Sequence, residues 1–285
     1  MTKNVAAKTW ARSAPTGPFH SSPSGSPTYT PFFKSALGAG TPGQNATTDF
    51  NNLSGRSTVV STDISGPFGE SQIVKVGVLV ANSGNYGGSF NNSGTPLSVG
   101  DETWFRLYCY FPTAFCAGAG GGGDFDQSIK FYRPTFASGQ RLYGKLGGFT
   151  NNACANTATS PTMLGLACDF APVSNDYVNS PQPIPRDTWV ALQWYIKHGQ
   201  TAGTSVARVW IGSAYQGDIT MTEPMYPATA SDIGFYALGD YYNGGAKQDT
   251  WFYISNVIAT KQQPNTVDSG GRPYISPTAR ISDFT

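Results

Sequence analysis

Three stretches of the chain alternate apolar and polar residues behind the same opening: DETWFRLYCYF from Asp101, RDTWVALQWYI from Arg186 and QDTWFYISNVI from Gln248. A period of two is that of a strand with one buried face. The acidic residue and Thr at each start suit a turn, and the Trp begins the strand. By parity one face carries Phe105, Leu107, Cys109 and Phe111, then Val190, Leu192, Trp194 and Ile196, then Phe252, Ile254, Asn256 and Ile258. That face is predicted to be core. The other carries Trp104, Arg106, Tyr108 and Tyr110, then Trp189, Gln193, Tyr195 and Lys197, then Trp251, Tyr253 and Ser255. It is amphipathic and aromatic, as suits a surface covered by loops or touching a ligand.

Other segments extend the pattern. IVKVGVLV puts Val74, Val76, Val78 and Val80 on one face, and QSIKFYR and RLYGKLGGF read as further strands. TWVALQWYIK and SVARVWIG flank HGQTAGT and predict a hairpin, as do SDIGFYALGDYY and DTWFYISNVIAT around NGGAKQ. Residues 150 to 186, with Pro161, Pro172, Pro181, Pro183 and Pro185, show no strong periodicity and read as a long loop. The Trp-led segments are unequally spaced, so they are not a tandem repeat.

Composition agrees with a strand-rich chain: 12% charged and 13% aromatic residues, with 34 Gly and 20 Pro. The net charge of +1 and the lack of any run of five like charges exclude an electrostatic footprint for nucleic acid or an anionic membrane. No apolar run approaches the roughly 20 residues of a spanning helix. MTKNVAAKTWARSAPTG lacks the apolar region of a secretory signal, which predicts synthesis and retention in a host cytoplasm. Cys109, Cys116, Cys154 and Cys168 form no CxxC pair, and His20 and His198 are the two histidines, so no metal site and no cofactor are expected. Free buried thiols are predicted, with Cys154 and Cys168 the pair to test for a disulfide. Residues 1–50, dense in Ser, Thr, Pro and Gly, read as an extended low-complexity docking arm. Residues 51–261 read as the folded domain, and 262–285 as an irregular extension that also docks on a neighbour.

Long antiparallel strands with one apolar face predict an all-β, two-sheet sandwich. The order TWVALQWYI, turn, VARVWIG, then GFYALGDYYNGG and DTWFYISNVIAT resembles the C-terminal half of a concanavalin A-like lectin/glucanase jelly roll. The resemblance covers about residues 188–260, with weaker support over 101–147 and none in the arms. It implies an antiparallel jelly-roll sandwich with extended N- and C-terminal arms. The superfamily includes legume-type lectins, glucanases, polysaccharide lyases and domains of phage virion proteins.

Its enzymes set chemical requirements. A retaining glucanase needs two carboxylates about 5 Å apart on one strand face. Asp124 and Asp126 in GDFDQS are the candidates, but Gln127 and Ser128 follow where the pattern needs a Glu, and the pair reads as solvated aspartates closing a Gly-rich loop. For a lyase the resemblance implies a Tyr or His general base, with Gln, Arg or Lys neutralising the uronate on the concave sheet face. Gln193, Tyr195, Lys197, Arg106, Tyr108 and Tyr110 are of the right types, but the family's Gln-Ile-His strand is absent and QSIK lacks the histidine. His198 shares parity with Trp194 and Ile196 and reads as a strand-end histidine bonded to the turn. DYYNGG is the nearest approach to a lectin's calcium cluster and reads first as a turn. AGAGGGGD lacks the following helix of a phosphate loop, and no Gly-x-Ser-x-Gly elbow comes with a histidine partner.

The leading expectation is therefore a non-enzymatic virion structural protein, a capsid decoration or tail/fibre component. Its arms would hold it to other virion proteins and to copies of itself. A cell-surface glycan would meet Trp104, Arg106, Tyr108, Trp189, Gln193, Tyr195, Lys197 and Tyr253, with no catalytic residues. The alternatives are a polysaccharide lyase or glycoside hydrolase of the same fold, with the lyase ahead, and a free carbohydrate-binding module.

Overall fold

The computed structural model describes residues 26–46, 49–52, 58–78, 88–90, 96–115, 130–132, 135–136, 141–147, 165–171, 177–179, 184–199, 201–220, 232–234 and 249–284. Asp124, Asp126, Cys116, Cys154, AGAGGGGD, FYALGDYY and the first half of the N-terminal arm lie outside them.

In chain order the strands begin with β1 (Phe33–Ser35), β2 (Phe50–Asn52), β3 (Thr58–Ser61), β4 (Ile73–Val78), β5 (Gly88–Phe90) and β6 (Pro96–Ser98). Next come β7 (Glu102–Tyr110), β8 (Lys130–Tyr132), β9 (Thr135–Phe136), β10 (Arg141–Gly147), β11 (Gly165–Ala171) and β12 (Tyr177–Asn179). The last are β13 (Trp189–Lys197), β14 (Val206–Ile211), β15 (Ala214–Thr220), β16 (Asp232–Gly234) and β17 (Thr250–Thr260). One sheet runs β15-β14-β13-β7-β17-β4-β3, with β1 also on β17; a second runs β12-β11-β10-β9-β16-β6, with β8 on β10. β2 and β5 form a separate ribbon.

The three Trp-led segments lie side by side at the centre of the larger sheet as β13, β7 and β17. Val190 pairs with Cys109, Leu192 with Leu107 and Trp194 with Phe105, so their apolar faces coincide. Those side chains join Val74, Val76, Val209, Ile211, Phe252 and Ile254 in one buried cluster. Leu97 and Phe131 of the smaller sheet belong to it too. Phe131 meets Trp194 at 6.2 Å and Phe252 at 5.9 Å between ring centroids, so the core lies between the two sheets.

Three expectations need correction. The β13–β14 hairpin forms, with Leu192 opposite Ile211 and Lys197 opposite Val206. The second hairpin does not: β17 pairs with β7, β4 and β1, while β16 pairs with β6 and β9 in the other sheet. The chain crosses between layers here, which local alternation cannot report. Second, the supposed loop 150–186 contains β11 and β12. Third, parity along β17 breaks at a bulge between Ser255 and Ile258, where Asn256 takes the left-handed φ of 49°. Beyond it Val257 and Ala259 face the intersheet core, and Ile258, expected there, sits on the outer face.

That outer face carries a second apolar cluster of Trp104, Tyr195, Trp210 and Ile258. Tyr29 from the N-terminal segment and Tyr274, Ile275, Ala279 and Phe284 from the C-terminal tail cover it. The tail, which ends in a short 3-10 turn at Ile281–Asp283, packs on its own sheet.

Candidate functional site

A sandwich offers two outer faces for a ligand. On the larger sheet the tail has taken most of one. The Trp104 indole N–H donates to the Pro273 carbonyl at 3.0 Å, and the Arg106 guanidinium donates to the Ser276 carbonyl at 2.5 Å. The Tyr108 hydroxyl donates to the Pro277 carbonyl, and the Trp210 indole N–H to Asp268 Oδ2 at 3.0 Å. Gln193, on the same face, donates to the Gly212 carbonyl at 2.9 Å. Tyr195 lies with its ring 5.0 Å from Trp104 and 4.9 Å from the Arg208 guanidinium.

The eight residues read from sequence as glycan contacts thus divide. Trp104, Arg106, Tyr108, Gln193 and Tyr195 are at most 5% exposed, walled in by protein groups. Burial pushes the Tyr108 phenol up to about 12, and it also raises Tyr195 and lowers Arg106. A phenol held in its neutral form under a carbonyl cap is a structural hydrogen-bond donor. Trp189 and Lys197 remain partly exposed, at opposite ends of β13, and Tyr253, 8% exposed, lies across Tyr110 from Trp189.

His198 is fully buried at the end of β13. Its backbone N–H donates to Asp101 at 2.9 Å, its carbonyl accepts from Gly100 at 2.7 Å, and its Nε2 lies 2.9 Å from Thr103 Oγ1. Burial holds its pKa down to about 3. It is the turn-bound histidine the parity suggested. Cys109 is a free buried thiol, and burial raises its pKa well above the usual range.

The smaller sheet places its polar face by register. Leu97 of β6 is fully buried in the intersheet core. It pairs with Ile233 of β16, and Ile233 with Phe136 of β9. The adjacent row runs Pro96, Gly234, Thr135 and Arg141. Paired residues share a face and successive residues alternate, so Arg141 stands on the face away from the core. Tyr143 and Lys145 follow on that face of β10. Across the sheet Tyr143 pairs with Asp169 of β11, and Asp169 with Tyr177 of β12. Lys145 pairs with Lys130 of β8. The intervening rows join Leu142 to Phe170 and Leu146 to Leu166, as a core-side face requires.

Sequence reading looked for such residues on the Trp-led strands and passed over these. The signal was present: RLYGKLG alternates Arg, Tyr and Lys with Leu, Gly and Leu, and GLACDFA alternates in the same way. The proline density around β11 hid the second.

No protein-family model matches the sequence, and no curated protein matches it. Solved structures do match in fold. An endo-β-1,4-glucuronan lyase from the fungus Trichoderma reesei is 11% identical, aligns over 88% of this chain and 100% of its own, and superposes with a TM-score of 0.52. An alginate lyase is 12% identical over 79% of this chain and 94% of its own, with a TM-score of 0.49. The first likeness carries the comparison, and at that identity it establishes the fold. It also corrects the leading sequence expectation, the non-enzymatic virion structural protein, because the fold is shared with a polysaccharide lyase. The chain is an all-β, two-sheet antiparallel sandwich of jelly-roll type.

Proposed function

We propose that this protein is a polysaccharide lyase that cleaves a uronate-containing chain on the outer face of its smaller sheet. The observation that carries the reading is the register row that sets Tyr143 between Arg141 and Lys145 on the face away from the core. The larger sheet's outer face, by contrast, is largely filled by the protein's own tail.

The residue types fit the reaction. A uronate C5 proton is too weakly acidic to remove while the adjacent carboxylate keeps its charge. Arg141 and Lys145, with Lys130 opposite, are the cations to neutralise it. Tyr143, as its phenolate, takes the C5 proton. The C5–H electron pair forms the C4–C5 double bond, the C4–O bond breaks with its pair on the departing oxygen, and that oxygen takes the proton back from Tyr143, which restores the phenolate. The products are a new reducing end and an unsaturated uronate.

The test is ultraviolet absorbance of unsaturated uronate on a panel of β-1,4-glucuronan, alginate and polygalacturonate. A rise with one of them, reduced about a hundredfold or more by Tyr143→Phe, is the expected result. Release of reducing ends without that absorbance would overturn the reading, as would a Tyr143→Phe variant of full activity.

A further inference from the structure

The outer face of the larger sheet has an open row at the end away from Lys197. Past the Tyr108 row, Tyr110 of β7 pairs with Trp189 of β13 on one side and with Tyr253 of β17 on the other. Tyr253 pairs in turn with Lys75 of β4. Ring centroids are 5.8 Å apart from Trp189 to Tyr110 and 6.0 Å apart from Tyr110 to Tyr253. The Lys75 ammonium continues the row, 5.8 Å from the Tyr253 ring and 4.8 Å from that of Trp251. Trp189, Tyr110, Lys75 and Trp251 are all partly exposed.

The loop beside the row fixes the polar tips of these side chains. The Trp189 indole N–H donates to the Ser65 carbonyl at 2.7 Å, and Asp63 Oδ2 accepts from the Tyr253 hydroxyl at 3.2 Å and from Lys75 Nζ at 2.6 Å. The result is a line of held aromatic rings on β13, β7 and β17, with Tyr253 the most buried at 8% exposure, followed by a cation with its exposed carboxylate and then by Val59 of β3. A linear polysaccharide has the matching character: apolar sugar faces in succession, hydroxyls along the edges and, in a uronan, carboxylates. Lys75 supplies the charge complementary to a uronate.

We infer that Trp189, Tyr110, Tyr253 and Lys75 form a second polysaccharide-contact site, which holds a linear uronan without cleaving it. It lies on the opposite side of the sandwich from Tyr143, so one molecule would grip the polymer at one face and cut it at the other. The choice of uronan rests on the lyase reading; the row itself does not.

Affinity electrophoresis in gels containing β-1,4-glucuronan tests the site, with β-1,4-glucan gels alongside. The intact protein should be retarded by glucuronan. Tyr110→Thr, which keeps a good strand residue, and Trp189→Ala should each weaken retardation about tenfold, with turnover of short oligomers unchanged. Thermal unfolding of both variants checks the fold, and if Trp189→Ala melts early, Tyr110→Thr alone decides. Tyr143→Phe should lose cleavage and keep retardation, which separates the two sites. Retardation lost in Tyr110→Thr from a protein that cleaves nothing would sustain this site and sink the lyase reading. Retardation by β-1,4-glucan alone would overturn the assignment of a uronan. Absence of retardation by either polymer, or full retardation of Tyr110→Thr, would overturn the site.

Discussion

The Trp104 indole and the Pro273 carbonyl are joined at 3.0 Å across 169 residues of sequence. That bond and its neighbours make the tail part of the domain's stability. Tyr274, Ile275, Ala279 and Phe284 are each at most 5% exposed. Fully burying one large apolar side chain contributes about 1.5–3 kcal/mol, so together they rival the net stability of an ordinary domain. Truncation after Lys261 is expected to give a protein that binds hydrophobic dye and aggregates. Ile275→Ala should lower the unfolding free energy by about 2–4 kcal/mol in urea titration. A truncated chain that melts like the intact one would show the tail to be an appendage.

Arg106 is a different kind of contact. It is fully buried, yet beyond the bond to Ser276 its Nε and its other terminal nitrogen have no hydrogen-bond partner among the described residues. Its guanidinium lies 5.1 Å from the Tyr108 ring, which offsets part of the desolvation cost. Removing such a charge while keeping the stem's volume is often neutral or stabilising. Arg106→Met should therefore stay within about 1 kcal/mol of the parent or exceed it, whereas Arg106→Ala should lose about 2–4 kcal/mol to the cavity. Equal losses in the two variants, read by thermal unfolding, would show that the charge itself is needed.

The bulge at Asn256 yields a backbone prediction. Its amide donates to Glu70 Oε1 at 2.6 Å and to Ser255 Oγ at 3.0 Å, while its φ of 49° suits glycine or asparagine. Asn256→Gly should cost about 1–2 kcal/mol for the lost bonds. Asn256→Val should cost about 1–3 kcal/mol more, because a β-branched residue resists that conformation. Equal costs would mean the bulge had relaxed to regular pairing, which would return Ile258 to the core.

How much of this was legible follows from the kind of information each feature needs. The alternation in β7, β13 and β17 showed which faces of Phe105, Leu192 and Ile254 turn inward, because parity is local. It failed past Asn256, where one extra residue reverses every later side chain and no pattern in SNVIAT marks the spot. The aromatic outer face was legible too, but not its occupant. That Pro273, Ser276 and Pro277 would come to lie over Trp104, Arg106 and Tyr108 is a contact across some 170 residues, carried by no periodicity. The Arg141–Tyr143–Lys145 row could be read as a strand. Only its register with Leu97, through β9 and β16, assigns it a face.

His198 makes stability depend on pH in a window that carboxylates do not dominate. Burial lowers its folded pKa to about 3 from an ordinary 6.5, with Asp101 opposing the shift and Lys261 adding to it. Between those values the unfolded chain binds a proton at this site and the folded protein does not. Stability therefore falls as the pH drops below 6.5 and goes on falling until about 3. Its slope approaches about 1.4 kcal/mol per pH unit, the limit for one proton. Asp63, Asp101 and Asp268, whose pKa values are lowered, add losses only near and below the ordinary carboxylate value of 3.8. Urea unfolding from pH 7 to pH 4 should thus show a steady decline in the parent. His198→Gln, which lacks the titrating group, should show a flatter curve even if it starts lower. Parallel curves would mean that the ring is protonated in the folded state, with water reaching it beside Thr103.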